Sequence, residues 1–280
     1  MFDLNFLILM LINLLINLAF FALAMVYFFV EAREVTKPAS KKVILISALI
    51  SIASILNALV MRYVIAFPIT DNYDLSSTYN LVVNIISAII TFFTTILYLR
   101  AGQGLSKRSG FPGSKILDSN RDHHTPINWR YVLLPIPILI IWSFVWFGLM
   151  PTEPTELALA SSPEGDSLMV YVYIFFTASI LAPVTEEVLY RHFAMGLLAR
   201  WFGSSKPAVI LNIGITSLIF AMAHAGVVTA DWIKIVQILP AGVLFGWMNY
   251  KKGLEYSILS HSAYNTLVIP ASILIEHFFL

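Results

Sequence analysis

The 280-residue chain is 59% hydrophobic and 12% charged, where soluble domains average about 25% charged. A mean hydropathy of +0.82 and apolar runs of bilayer length exclude an ordinary soluble domain and specify an all-α, polytopic transmembrane helical bundle. A formal charge of +1 gives no footing for nucleic acid, and the absence of cysteine rules out disulfides, thiolate chemistry and cysteine-based zinc sites.

The apolar run from Phe6 to Val30 is too long for a secretion signal and lacks a positive leading region, so it reads as a retained first span. About eight spans are predicted, at roughly 5–30, 43–67, 78–99, 131–150, 168–190, 207–225, 232–250 and 254–277. Pro135, Pro137 and Pro240 are expected to kink the fourth and seventh. Residues 101–129, rich in Gly, Ser, Pro and basic side chains, read as a flexible cytoplasmic linker. The linker divides a front part, 1–130, from a part 131–280 that carries the charged motifs within about 177–270. His123 and His124 in the linker read as a solvated pair without a role.

Charge segregates between the spans. Of the 17 Lys and Arg, only Arg62 and Lys234 fall outside one set of alternate loops. Asp71, Asp74, Glu153, Glu156, Glu164 and Asp166 occupy the opposite loops. The positive-inside rule then puts both termini outside and the basic loops in the cytoplasm. A multi-pass protein of a bacterial plasma membrane is the expected setting, with the lipid bilayer as its surroundings; the oligomeric state is left open.

The fifth span ends in ionisable groups, Glu186, Glu187 and Arg191. Charge beside hydrocarbon is costly and marks either a membrane boundary or a functional interior. Glu187 and Arg191 lie four apart, on one helical face, and are expected to pair, leaving Glu186 available. Two further helical pairs follow, Phe220 with His224 and His261 with Asn265, each at i, i+4 spacing. Taken singly, each histidine could be a hydrogen-bonded interior residue and Asn265 could be interhelical glue. Ser205 lies midway in sequence between Glu186 and His224. Two antiparallel helices joined there bring those side chains to the same depth, far from their own turn, so the helices protrude into the cytosol or tilt and the sixth span runs short.

Glu186-Glu187-x-x-x-Arg191, Phe220-x-x-x-His224 and His261-x-x-x-Asn265 together resemble the three motifs of the ABI (CPBP) family. That family includes the CAAX prenyl endopeptidases of the Ras-converting type and the bacteriocin self-immunity proteins. The resemblance covers about residues 177–270. It implies an eight-helix intramembrane protease fold and a glutamate-dependent peptidase acting on a membrane-associated peptide or protein, without cofactor. Under that reading Glu186 is the general base and His224 shares the attacking water and then protonates the leaving amine. His261 and Asn265 donate to the oxyanion, and Arg191 fixes Glu187. A zinc-dependent metalloprotease with Glu186, His224 and His261 as ligands is the runner-up. A non-catalytic membrane binder, such as an immunity protein that sequesters a bacteriocin, is the third reading.

Overall fold

The structure, a computed structural model, describes residues 77–109, 126–149, 175–224 and 231–279, with isolated positions 15, 18, 19, 22, 23 and 114. The described residues are helical, with no strand among them. In chain order they form α1 (Ser77–Ser109), α2 (Trp129–Leu133) and α3 (Ile136–Leu149). A further helix then runs through four pieces: π1 (Thr177–Leu181), α4 (Ala182–Glu186), π2 (Glu187–Ala194) and α5 (Met195–Phe202). Last come α6 (Lys206–Met222), α7 (Asp231–Lys252) and α8 (Leu254–Phe279). Most of the predicted spans at 5–30 and 43–67, and the acidic loops, lie outside the described residues. Leu23, a helical residue of the first span, packs against the core beside Leu97 and Ala101.

Apolar side chains face outward in helical stripes. Leu134, Ile138, Ile141 and Val145 follow one another at four-, three- and four-residue steps and are 78, 70, 64 and 51% exposed. A soluble helix buries such a face; here it suits hydrocarbon. Trp129–Trp146 is the described stretch that combines the length and apolarity of a bilayer crossing. It is interrupted after Leu133, where Pro135 lacks the N–H that would continue the ladder.

The linker reading of 101–129 is corrected at its start. α1 runs ten residues past the predicted end of the third span, and Ala101 and Leu105 are fully buried. Gly102, Gly104 and Ser106 looked like loop composition, but small residues also line close helix crossings in membranes. A Cβ placed on Gly102 would lie 2.4 Å from His192 Cδ2 and 2.8 Å from the His192 carbonyl oxygen. His192 Nε2 sits 3.1 Å from the Leu99 carbonyl oxygen across the same crossing, donating to it. Opposite, Gly196 approaches Leu105 Cβ to 3.1 Å from its would-be Cβ. Further on, Ser114 bonds Glu255 of α8.

The same device joins α6 to α7. Gly242 and Gly246, four apart on α7, let Ser217, Phe220 and Ile213 of α6 come within about van der Waals contact of the α7 backbone. Two turns close the bundle. Gly203, at φ 81°, ends α5 with its N–H on the Ala199 carbonyl, and Gly253, at φ 106°, separates α7 from α8. Both need the left-handed backbone that only glycine adopts without strain.

Candidate functional site

The helix that carries Glu186 and Glu187 changes pitch where they stand. π2 begins at Glu187, and the Met195 N–H that closes it bonds the Tyr190 carbonyl five residues back. Such wide turns are rare and are frequent at functional sites. Neighbouring helices supply donors to this part of the backbone. Asn249 Nδ2 donates to the Arg191 carbonyl at 3.0 Å, and Asn212 Nδ2 donates to the Met195 carbonyl at 2.8 Å. Both asparagines are buried. In an apolar surround, irregular helix persists only when side chains meet its carbonyls in this way.

Glu187 is sealed inside. Its side chain is 0% exposed and lies 3.3 Å from Arg191 Nε, itself 0% exposed. The Ser257 hydroxyl donates to Oε2 and also lies 2.9 Å from the Phe245 carbonyl. His261 Nδ1 donates to Glu187 Oε1 at 3.0 Å. One buried anion therefore gathers α8, π2 and, through Ser257, α7. The Arg191 guanidinium stands 4.7 Å from the centre of the Phe220 ring, a cation–π contact that balances part of its burial.

Glu186 lies on a more open side of the same helix, 26% exposed. Its Oε1 is 3.9 Å from His224 Nε2 and its Oε2 is 3.8 Å from His261 Nε2. Those separations are too long for direct hydrogen bonds. His224 is held from behind, because its Nδ1 donates to the Phe220 carbonyl at 2.8 Å. In the neutral ring this leaves Nε2, the atom facing Glu186, as an acceptor. His261 uses Nδ1 on Glu187, so its Nε2 can donate only when the ring carries both protons.

Aromatic rings set both imidazoles. Phe220 contacts His224 at 4.7 Å and meets His261 edge-on at 5.7 Å between ring centres. Phe245 stacks on His261 at 4.5 Å and 18°. Tyr190 packs edge-on against Phe220 at 5.4 Å. The structure thus brings Glu186, Glu187, Arg191, Phe220, His224 and His261 into one cluster. Asn265 follows on α8, and its Nδ2 donates to the Ala178 carbonyl of π1 at 2.7 Å. The sequence reading missed Ser257, Phe245, Asn249 and Asn212, all of which touch the cluster or its backbone. A serine within an apolar helix and a lone phenylalanine carry no spacing signal that would have found them. Among the described residues no group of three or more His, Asp or Glu side chains is arranged to hold a metal ion.

The sequence model of one family, described as type II CAAX prenyl endopeptidase Rce1-like, matches residues 168–267. The match takes in all of the cluster. Nothing among curated proteins and nothing among solved structures matches the chain.

Proposed function

We propose, on the match of residues 168–267 to the Rce1-like model of type II CAAX prenyl endopeptidases, that the chain is a glutamate-dependent intramembrane endopeptidase. The family is one of membrane-embedded proteases; the catalytic roles, substrate and orientation given next are our reading. Its substrate is a membrane-associated peptide or protein of CAAX type. The observation that carries the reading is the carboxylate of Glu186, accessible from solvent and flanked at 3.9 and 3.8 Å by two imidazole Nε2 atoms.

A water molecule between Glu186 Oε1 and His224 Nε2 is the nucleophile. As its oxygen bonds the scissile carbonyl carbon, Glu186 takes one of its protons. That proton passes through His224 Nε2 to the amide nitrogen as the C–N bond breaks, which returns Glu186 to the carboxylate. His261, doubly protonated and backed by Glu187, donates from Nε2 to the oxyanion. The second N–H of the Asn265 amide is the other donor, its first being engaged by Ala178. No metal or other cofactor enters the scheme. Comparing the membrane peptides of cells that carry wild type or Glu186→Ala tests it: substrates accumulate uncut in the variant, and identical peptide sets would refute the reading.

The segregated basic residues support a plasma-membrane protein with both termini outside. Cysteines placed singly at Ser109 and Ser161 should react oppositely with an impermeant thiol reagent. Labelling of the Ser109→Cys protein from outside intact cells reverses the orientation.

A further inference from the structure

Between His261 and Asn265 on α8 stands Tyr264, which the catalytic scheme leaves unused. Its hydroxyl is hydrogen-bonded to the Ser143 hydroxyl of α3 at 2.5 Å. Its ring packs with Leu139 of α3 and with Ala241 and Phe245 of α7. Phe245 meets that ring at 6.4 Å and 60°, and lies flat on His261 at 4.5 Å. Ser143 is 1% exposed and carries the one hydroxyl in the sequence of α3. Beside it, Trp142 Nε1 donates to the Val236 carbonyl at 3.3 Å, so a single turn of α3 is bonded to both α7 and α8.

A phenylalanine would fill the same apolar place, and the tyrosine hydroxyl adds only the bond to Ser143. With that bond the turn of α8 that carries His261 and Asn265 is held by three neighbours. His261 Nδ1 is on Glu187 of π2 at 3.0 Å, Tyr264 is on Ser143 of α3, and Asn265 Nδ2 is on the Ala178 carbonyl of π1 at 2.7 Å. Side chains at successive helical positions point about 100° apart, so anchors at 264 and 265 act on the helix from different directions. Together they fix its roll about its own axis. Roll decides where His261 Nε2 and the second Asn265 N–H point. Oxyanion donors act when about 2.7–3.1 Å from the developing charge, and a misplacement of about 1 Å can cost about 10²-fold.

We infer that Tyr264 is a positioning residue: bonded to Ser143, it sets the roll of α8 and so aims His261 and Asn265 at the oxyanion. This rests on the endopeptidase reading. It also makes α3, which precedes the matched residues 168–267, part of the catalytic apparatus. Tyr264 acts through its neighbours and not on the substrate. An interaction realised only in the transition state lowers kcat and kcat/KM together, with KM unchanged.

The test uses the full chain purified in lipid and a synthetic peptide ending in a farnesylated CAAX motif. Wild type is compared with Tyr264→Phe, Ser143→Ala, the double variant and Ser143→Thr, with kcat, KM and unfolding temperature measured for each. Tyr264→Phe should lower kcat by about three- to tenfold at constant KM, the worth of one neutral hydrogen bond. Ser143→Ala should match it, the double variant should lose no more than either single one, and Ser143→Thr, which keeps the hydroxyl, should retain most of the activity. If Ser143→Ala does not fold, Tyr264→Phe and Ser143→Thr still decide the matter. A Tyr264→Phe protein with wild-type kcat, whatever its unfolding temperature, reduces the pair to packing and overturns the proposal while the endopeptidase stands. A change confined to KM, or losses that multiply in the double variant, likewise overturns it. If wild type leaves the peptide uncut, as Glu186→Gln does, the endopeptidase reading falls and the positioning role falls with it.

Discussion

Glu186 and Glu187 share a peptide bond and occupy opposite environments. The first is 26% exposed and faces two imidazoles across gaps of 3.9 and 3.8 Å; the second is 0% exposed and is held by Arg191, Ser257 and His261. Successive helical residues point about 100° apart, so one sealed and one accessible carboxylate follow where such a helix has one packed and one open side. The two acids are chemically equal, and their surroundings divide the labour. Glu187 orders the site, and Glu186 is left free to exchange a proton.

The Ser257 hydroxyl donates to the Glu187 carboxylate. Replacing it with alanine leaves a buried carboxylate oxygen short of a partner, at a cost of about 1–3 kcal/mol. Ser257→Ala should therefore lower the unfolding temperature in detergent, while a Ser257→Thr protein, which keeps the hydroxyl, should recover part of the loss. Unchanged stability in Ser257→Ala would remove serine from the account of how Glu187 is held.

Gly102 tests the correction to the linker. Its missing side chain lets α1 touch His192, and any larger residue meets atoms at 2.4 and 2.8 Å. Overpacking of this kind costs about 1–3 kcal/mol. Gly102→Val should be visibly less stable than wild type, whereas a true flexible linker would accept valine without a shift in unfolding temperature.

Much of the cluster was legible in the sequence, because i, i+4 spacing on a helix fixes which side chains share a face. Glu187 with Arg191 is the clearest case, since their contact at 3.3 Å follows from spacing alone. The meeting of Glu186 and His224 was also visible, from the position of Ser205 midway between them. The widening of the helix at Glu187–Ala194 was not. A π turn depends on donors brought by other helices, here Asn249 and Asn212, and no local pattern encodes them. Gly102 misled for a related reason: glycine in a loop and glycine at a helix crossing look alike until the partner helix is known. Spans near the N-terminus and the two linker histidines lie outside the described residues.

Asn265 has two jobs to separate. Its amide clamps π1 through Ala178, and in the proposed mechanism it also donates to the oxyanion. Losing one such donor reduces turnover by about 10²–10³ with little change in substrate binding. Asn265→Ala should show that split, a fall in kcat with KM nearly constant. A fall in stability with kcat intact in the surviving folded protein would make Asn265 a clamp alone.

The central claim is that Glu186 itself activates water. Glu186→Gln keeps the shape of the side chain and removes only its capacity to take a proton, so turnover by the purified protein in lipid should fall by at least about 10², within the range for a general base. Its unfolding temperature should match wild type, because Glu186 makes no buried bond of the kind that holds Glu187. Wild type dialysed against a chelator and verified metal-free should keep its activity in the same assay. A Glu186→Gln protein that cleaves the peptide at the wild-type rate, or wild-type activity that vanishes with the metal and returns with zinc, would contradict the account.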